Sequence, residues 1–257
     1  MAAAAPMPRA ALVTGGGKRI GRALCLDLAA DGWAVAVHYH RSGAEAEELA
    51  AEIVAGGGRA VALAADLARE DEVATLVARA AAVLGPLGCL VNNASLFERD
   101  EALTATRASW DAHMETNLRA PFVLAQDLAR GLPDGADGAV INLLDERVWS
   151  LTPHFVSYTV SKSALWTLTR TLALALAPRI RVNGIGPGPT LPSPRQSAEQ
   201  FQRQCASVPL GRGTSPEEIC AAARFILSAP SMTGQMIALD GGQHLQWSPA
   251  GRSEMEE

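Results

Sequence analysis

Ala10-Ala11-Leu12-Val13-Thr14-Gly15-Gly16-Gly17-Lys18-Arg19-Ile20-Gly21 is the stretch that decides the fold. Four apolar residues closed off by glycines read as a buried strand, and Ile20–Ala30 then carries helical spacing. Strand, glycine-rich turn and helix start, in that order, aim backbone N–H groups and a helix dipole at one point, where a pyrophosphate can sit. Gly15 permits the sharp turn, and Gly21 lets helix and sheet pack closely. The same string also fits a plain strand–helix turn, so the rest of the chain decides between the two.

Outward from this stretch, short apolar runs alternate with helical patterns. The strands expected are Ala10–Val13, Ala34–His38, Ala60–Ala64, Cys89–Asn92, Ala139–Leu143, Arg181–Ile185 and Met236–Leu239. The helices expected are Ile20–Ala30, Ala44–Ala55, Glu70–Val83, Ser109–Arg130, Val156–Leu176, Ala198–Ala206 and Pro216–Leu227. Strands spaced by helices predict βαβ units: a single α/β domain over residues 1–257, Rossmann-type, with a doubly wound parallel sheet of about seven strands and helices on both faces. Residues 1–8 and 248–257 are expected to be loose tails. Gly56-Gly57-Gly58 reads as a helix cap and turn. Gly186 to Arg195, with prolines at 187, 189, 192 and 194, suits a mobile flap over a site.

Composition narrows the function. A hydrophobic content of 48% supports a full core, and a net charge of -5 offers no basic field for nucleic acid or an anionic membrane. The start of the chain lacks the basic and apolar regions of a secretion signal, and no apolar run reaches the ~20 residues of a membrane helix. The expectation is a soluble cytoplasmic protein. Cysteines 25, 89, 205 and 220 show no metal spacing and read as reduced, mostly buried thiols.

The end of the second strand bears on the cofactor. A site that prefers NAD places an acid there to accept from the ribose hydroxyls. This chain reads His38-Tyr39-His40-Arg41-Ser42, and its first acid is Glu45. An arginine with polar neighbours suits a 2′-phosphate that a carboxylate would repel, so NADPH/NADP+ is expected. His38 and His40 offer no third metal ligand nearby, so no metal is expected.

Tyr158-Thr159-Val160-Ser161-Lys162 points to the reaction. Residues four apart share a helix face, so phenol and ammonium can converge. A nearby cation favours the phenolate, and the expectation is a Tyr158 pKa lowered from its ordinary ~10 into a useful range.

On Thr14–Gly21, Asp66-Leu67, Asn92-Asn93-Ala94, Asn117, Tyr158/Lys162 and Gly186-Pro187-Gly188, residues 9–247 resemble the short-chain dehydrogenase/reductase family. The resemblance implies that Tyr158 passes the proton, Lys162 holds the nicotinamide ribose, and Asn117 supports a water relay. It assigns Gly15, Lys18, Arg19, Ile20 and Gly21 to the cofactor, with His40, Arg41 and Ser42, then Asp66, Leu67, Asn93, Ala94 and Ser95, and finally Pro187, Gly188 and Thr190.

Two departures refine it: Arg19 replaces the middle glycine of the turn, and Asp145 stands where the family has a serine donor to a carbonyl. A carboxylate opposes a developing alkoxide but suits a substrate with amidine-like N–H donors. With Ser95-Leu96-Phe97, these features resemble the pteridine reductase branch. There Arg19 bridges phosphate and pterin, Phe97 stacks the pterin, Ser95 contacts pterin and cofactor, and the Asp145–Tyr158 pair protonates a ring nitrogen. Each has a plain alternative: Phe97 packs the loop, Asp145 caps beside Glu146 and Arg147, and Arg19 serves phosphate alone. Trp149 and Phe155 either wall the pocket or only pack. The resemblance also implies a homotetramer.

Three functions compete at this point: an NADPH-dependent pterin reductase, a carbonyl reductase of the same fold, and a non-catalytic NADPH sensor. An intact Asn117, Tyr158 and Lys162 counts against the sensor, which has no use for a proton donor.

Overall fold

The computed structural model describes residues 6–193 and 195–246. Seven parallel strands form one sheet: β1 Ala10–Val13, β2 Ala34–Tyr39, β3 Ala60–Ala64, β4 Cys89–Asn92, β5 Gly138–Leu143, β6 Ile180–Pro187 and β7 Met236–Leu239. Their order is β3-β2-β1-β4-β5-β6-β7, so the chain reverses its direction of travel between β1 and β4. That switch point opens a crevice beyond the carboxyl ends of both strands, and the glycine turn after β1 borders it.

Strand alternation sorts the core into two layers. Ala10 and Leu12 of β1 face one side, with Leu90 and Val140; Ala11 and Val13 face the other, with Val91 and Ile141. On the first side lie α3 (Glu70–Leu84), α5 (Ala120–Gly131) and α6 (Val156–Ala175), which contribute Leu76, Leu124 and Leu172. On the second lie α1 (Arg19–Ala30), α2 (Gly43–Ala55) and α8 (Pro216–Ser228), which contribute Leu24, Leu49 and Ile226. Burial of each such side chain stabilises by about 1.5–3 kcal/mol. A shorter helix, α7 (Ala198–Ser207), follows the proline-rich segment.

Two sequence expectations are revised. The helix expected over Ser109–Arg130 is three pieces: α4 (Arg107–Met114), a π-turn at Glu115–Arg119, and α5. Pro121 has no N–H for the carbonyl of Asn117, and its ring crowds that carbonyl, so the helix widens there. Strand β6 runs on through Gly186 and Pro187, which pair with Ala238 and Leu239, so the irregular segment starts at Gly188. The proline at 194 lies outside the described residues, as do 1–5 and 247–257 of the two expected tails; Met7 packs against the second core layer. No helix among the described residues is long and apolar enough to cross a membrane.

Candidate active site

The glycine turn is built as its sequence demands. Gly15 has φ +62, and a Cβ on Gly21 would stand 2.1 Å from the Gly15 carbonyl oxygen, so neither position accommodates a larger residue. His38, on β2, is buried beneath the turn and fixes it. Its Nδ1 accepts from the Gly15 N–H at 3.0 Å, which requires the proton on Nε2, and Nε2 donates to the Ala65 carbonyl at 3.0 Å. Burial lowers its pKa to about 4, and it stays neutral. His38 thus does more than supply strand polarity. On the far side, Asn93 donates to the carbonyls of Thr14 and Gly15 at 2.8 and 3.2 Å.

This frame borders a groove of about 470 Å³ lined by Gly15, Lys18, His40, Arg41 and Ser42 on one flank. Asp66, Leu67, Ala94 and Ser95 line the other. Lys18 pairs with Glu45 at 2.7 Å and His40 lies 3.7 Å from Asp66. Gly15 and Gly21 give a backbone cradle at a helix start, and Lys18 and Arg41 give cations where β2 ends, so these residues fit a phosphorylated dinucleotide. Among the described residues no group of three His, Cys, Asp or Glu is placed to hold a metal.

A second cavity, about 290 Å³, meets the first at Ser95. Arg19, Ile20, Asn93 and Phe97 line it from one direction, Asp145, Tyr158 and Lys162 from another, and Pro187, Gly188 and Thr190 from a third. Asn117 and Gly21 are the expected site residues absent from both linings, Gly21 lying packed beneath the turn; Asn117 has a bracing role. Its amide donates to Leu96 O at 2.9 Å and Ser161 Oγ at 3.0 Å and accepts from Leu96 N–H at 2.8 Å, which ties the 94–97 loop to α6.

At the centre, the Tyr158 hydroxyl donates to Asp145 Oδ2 at 2.7 Å. The other carboxylate oxygen accepts the backbone N–H of Arg147 at 2.9 Å, which caps the short turn Glu146–Val148. Capping and contact with the phenol are therefore simultaneous, one oxygen each. The expected lowering of the Tyr158 pKa is corrected: burial first, then the adjacent Asp145 carboxylate, hold the phenol well above its ordinary value. Lys162 does not offset this. Its ammonium donates to the Leu143 carbonyl at 2.7 Å and lies 5.8 Å from the Tyr158 ring centroid. Burial brings Lys162 itself down to about 8.

Phe97 lies parallel to Phe155 with centroids 4.4 Å apart, and edge-on to Tyr158 at 4.6 Å. Phe155 is therefore the backing of the wall, while Trp149 packs against Trp166 and His244 instead. Arg147 was not anticipated: it is buried, its guanidinium is 3.8 Å from Asp145 Oδ2, and its central carbon is 5.3 Å from both phenyl rings. The proline-rich segment is tied down at two points. Arg19, at φ 55, donates to the carbonyls of Pro192 and Leu191 at 2.9 and 3.2 Å. Arg195 donates to the Phe97 carbonyl at 3.0 Å and pairs with Glu98 at 3.2 Å.

A doubly wound sheet with a phosphate cradle at its switch point, and a buried tyrosine–lysine pair at the end of the same groove, define a dinucleotide-dependent oxidoreductase. Residues 16–244 match the family model described as Enoyl-(Acyl carrier protein) reductase. A 3-oxoacyl-[acyl-carrier-protein] reductase from Synechocystis sp. is 32% identical over 238 residues, covering 90% of this chain and 95% of the relative. The crystal structure of FolM alternative dihydrofolate reductase 1 from Brucella canis, complexed with NADP, superposes with a TM-score of 0.90 at 48% identity, covering 95% of this chain and 98% of that one. Its counterpart from Brucella suis, also with NADP, gives 0.88 at 50% identity, covering 93% and 96%. The chain belongs to the short-chain dehydrogenase/reductase family.

Proposed function

We propose that this protein is an NADPH-dependent reductase of pterins and dihydropterins. The cofactor is NADP(H), in keeping with the NADP in both FolM structures and with Lys18 and Arg41 in the groove. The bound cofactor supplies a hydride from its nicotinamide ring. The protein's own task is to hold a flat acceptor beside that ring and deliver one proton to the nitrogen next to the reduced carbon.

The observation that carries the reading is the Tyr158–Asp145 contact at 2.7 Å beside the Phe97 ring. A carboxylate at this position disfavours a carbonyl oxygen that gathers negative charge and favours an N–H edge. A phenol held so firmly protonated is a poor donor alone. The one proton that the two oxygens share can leave through Asp145, which lines the cavity, and the pair then takes a replacement proton from solvent. Arg147 keeps a cation beside that carboxylate, and Phe97 offers an aromatic face to an electron-poor bicycle. The similarity to FolM at 48–50% identity supports the same substrate class.

The second reading, reduction of a ketone such as a 3-oxoacyl thioester, is favoured by the 32% identity to 3-oxoacyl-[acyl-carrier-protein] reductases along nearly the full chain. The test is loss of NADPH absorbance with 7,8-dihydropterins, dihydrofolate and a ketone panel supplied separately. Turnover of pterins supports the proposal; turnover of ketones without pterins would replace it with the second reading. A cytoplasmic homotetramer belongs to the same proposal, checked by its mass in solution.

A further inference from the structure

Outside both cavities lies a buried polar cluster that the chemistry above does not use. Asp100, His113 and Ser157 are all buried, and none lines either cavity. Helix α6 needs such a cluster, because its first residues have no cap of their own. The N-cap position is Phe155, whose side chain accepts nothing and whose φ of 58 lies in the left-handed region that strains a non-glycine residue.

Asp100 supplies the missing acceptors from a different segment. Its carbonyl accepts from Phe155 N–H at 2.8 Å and Val156 N–H at 3.4 Å. Its Oδ1 accepts from Ser157 N–H at 3.0 Å, and its Oδ2 accepts from the hydroxyls of Ser157 and Ser109. Burial opposes the carboxylate charge, but these hydroxyl and backbone donors outweigh it and lower the Asp100 pKa. His113 closes the cluster. Its Nε2 accepts from the Glu98 N–H at 3.2 Å, so the proton sits on Nδ1, which reaches Ser109 O at 2.9 Å and Ser157 Oγ at 2.7 Å.

The cluster thus joins the loop that carries Phe97, through Glu98 and Asp100, to the helix start that carries Phe155 and Tyr158. We propose that Asp100, with Ser157 and His113, is a positioning device that fixes the Phe97 ring relative to the Tyr158 hydroxyl and so sets how a substrate meets the proton donor. The part concerning Phe97 rests on the reading that a flat ring stacks there; the part concerning Tyr158 does not.

The test uses Asp100→Asn, which keeps shape and one acceptor, and the milder Ser157→Ala, each alone and combined with Phe97→Leu. With a 7,8-dihydropterin, Asp100→Asn should lower kcat/KM by up to about a hundredfold. Ser157→Ala should lower it less, and neither should shift the NADPH Kd or the melting temperature in proportion. In the Phe97→Leu background the Asp100 change should cost several-fold less than it does alone, because only the placement of Tyr158 is left for it to disturb. Losses that multiply in full, or that follow cofactor affinity and melting temperature in step, would overturn the assignment and leave Asp100 a structural residue. If the unsubstituted protein reduces only ketones, the flat-ring reading falls on its own. Asp100→Asn is then judged on ketone kcat at constant NADPH affinity: a fall supports the placement of Tyr158, and an unchanged kcat overturns it.

Discussion

The two ends of the groove are built on different principles. The dinucleotide end is made mostly of backbone: a glycine turn at φ +62 and a helix start, braced by a buried neutral histidine that ties the turn to Ala65, just past β3. The reaction end is made of side chains from separate segments: Phe97, Asp145, Tyr158 and Arg195 converge from loops and one helix. The glycine turn itself can be read locally, since Gly15 and Gly21 lie in one short stretch, although His38 and Asn93, which brace it, come from 23 and 78 residues away. The second depends on how far-apart segments meet, and its chemistry turns on single substitutions.

That contrast can be broken by separating chemistry from cofactor binding. Tyr158→Phe should reduce turnover by about a thousandfold or more while NADPH affinity, measured by fluorescence titration, stays within a few-fold. A joint loss would mean that the two ends are not separable. Arg147→Met should follow at about tenfold or more in kcat, because Asp145 loses the cation beside it; an unchanged kcat would make Arg147 packing alone.

At the other end, His38→Ala leaves the Gly15 N–H and the Ala65 carbonyl without their partner, which should destabilise by about 2 kcal/mol in urea unfolding and weaken NADPH binding. Turnover at saturating cofactor should survive. Arg41→Ala, the smallest change, should narrow the preference for NADPH over NADH by about tenfold. An unaltered ratio would take Arg41 out of the 2′-phosphate site.

The Lys162 pKa falls from its ordinary 10.5 to about 8 because the side chain is buried. Above pH 8 the folded protein sheds this proton while the unfolded chain keeps it up to about 10.5, so stability from this group rises with pH across that window. If the ammonium holds the cofactor ribose, kcat/KM should nevertheless fall about tenfold per pH unit above 8. Activity lost while the melting temperature holds or rises would place the effect in the site. A rate that climbs toward pH 9 would instead point to a phenolate at Tyr158.

Much of the fold was legible because alternation and helical spacing are local: Ala10–Val13, Ala60–Ala64, Cys89–Asn92 and Met236–Leu239 lie where the pattern puts them. The break at Glu115–Arg119 was signalled only by Pro121, inside a stretch whose apolar spacing otherwise continues. In the site, Tyr158, Lys162, Asp145 and Phe97 could be picked out because residue type and spacing mark them, and the structure brings all four to one cavity. Arg147 could not, since an arginine beside two acids reads as a solvated surface; only the fold buries it against two phenyl rings. Arg195 reaches a carbonyl 98 residues away, and Asp100 caps a helix 57 residues on. Neither contact leaves a trace in the local pattern. The direction of the Tyr158 shift was misread for a related reason: spacing indicated a nearby ammonium, but burial and Asp145 weigh more.

The proposed path of the proton, from the Tyr158 contact through the Asp145 carboxylate to a ring nitrogen, is tested by Asp145→Ser assayed on a 7,8-dihydropterin and on a 3-oxoacyl thioester. The expected result is a loss of about a hundredfold on the pterin at unchanged NADPH affinity, with ketone reduction equal or higher. Pterin kinetics left intact by the substitution would contradict it.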